Sequence, residues 1–158
     1  MLGTAATVVA ADQISKTLVL RLHPVAGAGF LSVRLVRNTG ASGGIAAGYP
    51  VLVTLAAIAI ACAAAALALR TRARWVAFCL AAVLGGALGN LSDRLFRSPG
   101  FGRGAVVDWI HIAGRGGSFN LSDVAIQFGV VGALVAMFVA ERSRSRSPRT
   151  RPASNERT

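Results

Sequence analysis

Apolar residues gather in four stretches separated by polar connections, and the length of each limits what it can be. Val51 to Leu69 runs for nineteen residues without a charge, which as a helix rises roughly 28 Å, close to the thickness of a bilayer core. Trp75 to Leu91 is similar and contains Gly85-Gly86-Ala87-Leu88-Gly89, whose small side chains let a neighbouring helix approach closely. Leu121 to Ala140 forms another stretch and stops at Glu141. The earliest, Gly3 to Leu22, carries Asp12 and Lys16 within it; it lacks the basic start and uncharged middle of a secretory leader and is read as a retained helix. Between stretches, Phe30 to Arg37 alternates in part, is rich in strand formers and ends in the turn-like Asn38-Thr39-Gly40, which predicts a short strand or hairpin. The expected fold is a membrane α-helical domain over residues 1–140 with four transmembrane helices and outer segments at about 23–50 and 92–118, followed by a basic, disordered tail over 141–158.

Composition strengthens the membrane reading. The 158 residues are 54% hydrophobic and 15% charged, well below the roughly 25% charge of a soluble domain. The net charge of +11 comes from 17 basic residues, all arginine except Lys16, against 6 acidic ones. Such a balance calls for an anionic neighbour, lipid headgroups or nucleic acid. Arginine is densest in Arg70-Thr71-Arg72-Ala73-Arg74 and in the tail from Arg142, which places both on the cytoplasmic side, with both termini, and the two long connections outside. The arginine-serine alternation of the tail is similar to RNA-binding segments, but its position directly after a span is explained by orientation, so membrane lipids and not nucleic acid are the expected partners. Cys62 and Cys79 lie in apolar runs and read as packing groups; no disulfide framework or zinc site is suggested. His23 and His111 read as interfacial polar groups, and no metal or cofactor is implied.

With Glu141 and Glu156 assigned to the tail, the remaining acidic residues are Asp12, Asp93, Asp108 and Asp123. An ionisable group near a span centre costs about 2.5–3.5 kcal/mol on insertion scales, so each needs a reason. Asp12 and Lys16 are spaced for an i, i+4 ion pair. Asn90, Asp93 and Arg94 are spaced so that a helix end can bond to itself, and Asn120 with Asp123 fits a cap. Asp108, flanked by valines and Trp109, has no local partner. Asp93, Asp108 and Asp123 gather at the outer end of the expected spans, whereas Asp12 lies deep. Two carboxylates in a partly desolvated pocket cannot both ionise easily; one keeps its proton while the other acts as base, a pair able to activate water for amide hydrolysis. Burial should raise the pKa of Asp108 and leave it the acid, while the first helical turn favours negative charge on Asp123.

Five motifs resemble those of lipoprotein signal peptidase, the bacterial signal peptidase II, and occur in that family's order. They are Asp12-Gln13 with Lys16, Arg37-Asn38-Thr39-Gly40-Ala41, the run from Gly85 to Arg94, Val106-Val107-Asp108-Trp109, and Phe119-Asn120-Leu121-Ser122-Asp123. The resemblance implies a monomeric aspartic endopeptidase of the bacterial inner membrane that removes the signal peptide of a diacylglyceryl-modified prolipoprotein just before its lipid-bearing cysteine. It implies Asp108 and Asp123 as the catalytic dyad near the outer face, and Asn38, Asn90, Arg94 and Asn120 as supports of dyad and substrate. It leaves Asp12, Lys16 and Asp93 as structural polar groups. It also implies a small extracytoplasmic β-cradle and an outer flap, fitted to the segments near Phe30 and before Asp108.

Two positions depart from the family pattern. Ser122 stands where alanine is usual, and its hydroxyl is expected to donate to Asp123. Ser42-Gly43 stands where a bulkier residue is common. The glycine-rich stretch before Asp108 reads as long and flexible. The competing class is a small transporter or proton-relay protein, which would space its acidic groups through the membrane.

Overall fold

The structure, a computed structural model, describes residues 1–22, 30–41, 44–114 and 116–146; His23, Ser42-Gly43 and the tail from residue 147 lie outside them. Each apolar stretch is a helix: α1 (Leu2–Leu22), α2 (Pro50–Arg70), α3 (Arg74–Phe96) and α4 (Leu121–Arg146). Three strands complete the chain: β1 (Leu31–Asn38), β2 (Val106–Ile112) and β3 (Ser118–Phe119). The helix α3 continues past Leu91, so Asp93 and Arg94 belong to its last turns and do not follow it. No glycine or proline interrupts Ser92 to Phe96, and the helix ends just before Ser98-Pro99, where the residue preceding proline resists the helical conformation.

Among the described residues, α2, α3 and α4 are long and apolar enough to cross a membrane. The helix α1 matches α2 in length but is diluted by Asp12, Gln13 and Lys16, so apolar length gives three crossing helices where four are expected. Its charges nevertheless point inward: Asp12 and Lys16 are fully buried while Ile14 and Leu18 are exposed. The other helices carry apolar side chains on the outside, among them Leu52, Leu55 and Ile60 on α2 and Phe128, Val131, Leu134 and Phe138 on α4. An apolar exterior of this extent around a polar interior needs lipid to cover it.

The central helix is α3, which packs against α1, α2 and α4. Its small residues set the spacing: a Cβ on Gly85 would lie 2.7 Å from the Ala5 carbonyl oxygen of α1, and one on Gly86 2.8 Å from Ile126 of α4. At the end of the bundle nearer the α2–α3 link, Ala68, Val76, Leu80 and Ala133 form the apolar core.

The antiparallel sheet has the order β1-β2-β3, so the strand expected near Phe30 pairs with a segment far along the chain. Val36 faces Asp108 and Asn38 faces Val106, with an irregularity between Val33 and Val36. The backbone N–H of Val107 donates to Asp93 Oδ2 at 3.1 Å, pinning the sheet to α3. The glycine-rich stretch is more tightly held than its composition predicts. Gly104 N–H donates to the Arg94 carbonyl, Ala105 N–H to that of Ser98, and Thr54 Oγ1 of α2 to that of Gly102 at 2.8 Å. Gly104 is needed there because a Cβ would collide with the last carbonyls of α3.

Candidate active site

The two carboxylates of interest come from different elements. Asp108 sits mid-strand in β2, and Asp123 in the first turn of α4. Asn120 makes the expected cap: Asp123 N–H donates to Asn120 Oδ1 at 3.0 Å and Asn120 N–H to Asp123 Oδ2 at 3.3 Å, the reciprocal arrangement of a capping box. The cap also reaches the strand, because Asn120 Nδ2 donates to Asp108 Oδ1 at 2.6 Å. Asn38 Nδ2 donates to the other oxygen of Asp108 at 3.0 Å. Asn90 Nδ2 donates to Asp123 Oδ1 at 2.8 Å. Three asparagines thus fix two carboxylates, one through its position in β1, one in α3 and one at the start of α4.

Asp108 and Asp123 line a cavity of about 310 Å³ with Asn38, Asn90 and Arg94. Its far wall is apolar and small, with Val53, Ala56, Ala57 and Ile60 from α2 facing Ile126 of α4. Burial pushes the Asp108 carboxyl up to about 6, helped by the nearby Asp123 charge and opposed by the asparagine hydrogen bonds. That rise has the direction expected from the sequence, and it leaves Asp108 the more easily protonated than an ordinary carboxyl.

Arg94 closes one side. It is 5% exposed, and its Nη2 donates to the Gly40 carbonyl at 2.8 Å, while Nε and Nη1 have no partner. Gly40 permits this clamp, since a Cβ on it would collide with the Gly44 and Ile45 backbone.

Behind the cavity lies a second polar cluster. Lys16 Nζ bonds Asp12 Oδ2 at 2.7 Å, Asp93 Oδ2 at 2.9 Å and Asn90 Oδ1 at 3.0 Å. The i, i+4 pair read from the sequence therefore exists, but its lysine is shared with Asp93. Asp93 also accepts from Arg97 Nε at 2.5 Å and Gln13 Nε2 at 3.1 Å. Asn90, Asp93 and Arg94 do not bond to one another: among the described residues the helix end bonds to itself only between Asp93 and Arg97, and the side chains otherwise turn to α1, α4, β2 and the loop after β1.

Asp12 is also not remote from the other carboxylates. Its Oδ1 accepts from the backbone N–H of Ser122 at 3.0 Å, satisfying one of the free donors in the first turn of α4 one residue from Asp123. Ser122 departs from expectation too: its Oγ is buried without a partner and faces Gly89, not Asp123. Adjacent residues on a helix point in different directions.

Sequence reasoning missed Ser118 and Gln127, which line the same cavity, and Arg97. Gln127 stands one turn beyond Asp123 in an otherwise apolar span, a visible signal; Arg97 is i, i+4 from Asp93, also visible. Nothing in the sequence singles out Ser118. Among the described residues, no group of His, Cys, Asp and Glu is arranged to hold a metal ion.

The family model for Signal peptidase (SPase) II matches residues 4–139. Relatives include a lipoprotein signal peptidase of Mycobacterium avium, 38% identical over 83% of this chain and 74% of its own length. One of Rhodococcus jostii is 39% identical over 80% of this chain and 66% of its own, and one of Mycolicibacterium smegmatis is 38% identical over 83% and 57%. The chain therefore spans between about half and three quarters of these relatives. A bacterial membrane enzyme solved by the in meso method at 2.3 Å superposes with a TM-score of 0.78 at 23% identity, covering 92% of this chain and 91% of that one. A second, at 1.9 Å, gives a TM-score of 0.69 at 26% identity over 85% and 89%.

Proposed function

The chain belongs to the signal peptidase II family, and on that premise we propose that it cleaves the signal peptide from diacylglyceryl-modified prolipoproteins, immediately before the lipid-bearing cysteine, with Asp108 and Asp123 as an aspartic dyad. One observation carries this reading: two carboxylates from separate elements are held by asparagine amides at one cavity between α2, α3 and α4.

In this reading Asp123, in the first turn of α4, takes a proton from water, and the oxygen of that water attacks the scissile carbonyl carbon. Asp108, whose burial raises its carboxyl to about 6, is the acid when protonated and donates to the carbonyl oxygen. The proton gained by Asp123 then passes to the leaving nitrogen as the carbon–nitrogen bond breaks, and Asp108 takes back its proton from a hydroxyl of the tetrahedral diol as the new carboxyl group's C=O forms, so Asp108 starts and ends protonated and Asp123 ionised. Asn38, Asn90 and Asn120 hold the pair, and Arg94 offers its free N–H groups to the substrate backbone. The alternative, a proton relay or transporter, is not favoured: α2 carries no charge before Arg70, and the acidic groups gather at one end of the bundle.

The wider reading is a monomer in the bacterial inner membrane with α1 as a fourth crossing, both termini cytoplasmic and the site near the outer face. It is supported by the inward-facing charges of α1 and by arginine density at the α2–α3 link. Protease added to sealed, right-side-out cells should leave the basic tail intact, and its digestion there would reverse the orientation. For the reaction itself, purified protein is incubated with lipid-modified precursor; a mobility shift with the native protein and none with folded Asp108→Asn is expected. No shift with either protein would remove the peptidase reading.

A further inference from the structure

A signal segment lying in lipid is helical, with its backbone groups paired internally. For a peptide bond to lie between two carboxylates, the segment must unwind there, and each unwound residue leaves an N–H and a C=O without a partner where water is scarce. A cleft that cuts such a substrate has to supply replacements.

Two side chains on the cavity wall fit this need and take no part in the dyad. Ser118, in β3, is 9% exposed, and its Oγ has no hydrogen-bond partner. Gln127, exposed on α4, lies one turn from Asp123, about 6 Å along the axis, and lines the mouth of the same cavity. A carboxamide can donate and accept at once, which matches a single peptide unit. Trp109 Nε1 and Ser122 Oγ are also buried without partners, but Ser118 Oγ and the Arg94 N–H groups are the ones whose residues line the cavity that holds Asp108 and Asp123. We propose that Gln127 and Ser118 are docking groups for the extended backbone of the substrate, Gln127 on the membrane side of the scissile bond and Ser118 on the outer side. The ligand is peptide backbone, so this recognition does not depend on substrate side chains. The proposal rests on the peptidase reading of the cleft.

The test uses the full-length protein in detergent or vesicles with a lipid-modified precursor peptide, and a set of analogues in which one backbone amide is replaced by an ester, scanned through three positions on each side of the cut. Gln127→Leu replaces a polar group by an apolar one in a membrane helix, and Gln127→Met serves if the leucine variant gives low folded yield. Expected is a roughly tenfold loss of kcat/KM, mainly in KM, for Gln127→Leu with the all-amide peptide. The native protein should lose a similar factor with an ester at one upstream position, and variant and ester together should lose no more than either alone. Ser118→Ala should behave in the same way with a downstream ester. A merely structural role would make the losses multiply at every position; that result, or unchanged kcat/KM in the variants, would overturn the docking role while leaving the peptidase reading intact. Failure of the native protein to cut the all-amide peptide would instead remove the peptidase reading, and the docking role with it.

Discussion

Two polar regions lie back to back in this bundle and differ in how completely the fold satisfies them. Around Lys16 each ammonium donor has an acceptor, and Asp93 accepts from Lys16, Arg97, Gln13 and the Val107 backbone. Around the dyad, Arg94 Nε and Nη1 and Ser118 Oγ have no partner, and the carboxyl of Asp108 is pushed up to about 6. An unpaired buried polar group costs about 1–3 kcal/mol; beside Lys16 the one such atom among the described residues is Ser122 Oγ while every charge is paired, whereas at the cavity the free atoms include N–H groups of a buried guanidinium. Asn90 belongs to both: its oxygen accepts from Lys16 and its nitrogen donates to Asp123. The ammonium thereby fixes which end of the amide faces the carboxylate.

If the first region is structural, Lys16→Met should produce the largest change in stability. It leaves Asp12 buried beside no cation, a loss of about 3–5 kcal/mol, read as collapse of folded yield and of the thermal midpoint in detergent. Normal yield would break the contrast between the regions.

Asn90→Ala probes the shared residue. We expect kcat to fall about 10- to 100-fold while KM stays within a factor of two or so, since Asp123 loses its orienting donor and the cavity keeps its walls. Steady-state kinetics on the lipid-modified peptide decide it; a change in KM alone would place Asn90 in binding and not in positioning.

The third expectation concerns pH. The native protein holds a proton on Asp108 that the unfolded chain, with an ordinary value of 3.8, has already released. This contribution to stability is present below about pH 4 and is lost as pH rises through about 6. The thermal midpoint of the native protein should decline across that window by more than that of Asp108→Asn. If Asp108 acts as the acid, kcat/KM should also decline as pH rises above about 6, with an apparent pKa that belongs to the coupled pair.

The smallest effect should come from Ser122→Ala. Removing an unpaired hydroxyl next to the Lys16 cluster should leave stability unchanged or raise it by up to about 1 kcal/mol, with turnover within about twofold. A large loss of turnover would restore the expected bond from Ser122 to Asp123.

Much of this was legible in the chain because its signals are local. Apolar length marked the helices, and the Asn120 to Asp123 spacing marked the cap that the structure contains. The long-range pairings were not legible: β1 bonds to β2, Lys16 divides itself between α1 and α3, and Asp12 reaches the first turn of α4. Local spacing proposed that Asn90, Asp93 and Arg94 bond within their own helix end; tertiary neighbours take Asn90 and Arg94, and Asp93 keeps one local partner, Arg97, beside its tertiary ones. Glycines before Asp108 suggested a loose flap, whereas Gly104 is there for a tight turn against the end of α3.

The central claim is that Asp108 and Asp123 act together on one peptide bond. Its most direct test is the single-turnover cleavage rate of a lipid-modified precursor by Asp108→Asn and by Asp123→Asn, each at folded protein matched to the native enzyme, with the released peptide weighed by mass spectrometry. The account predicts that the native protein releases a signal peptide ending just before the modified cysteine and that either variant alone slows this by about a thousandfold or more. Near-native cleavage by either folded variant would contradict it.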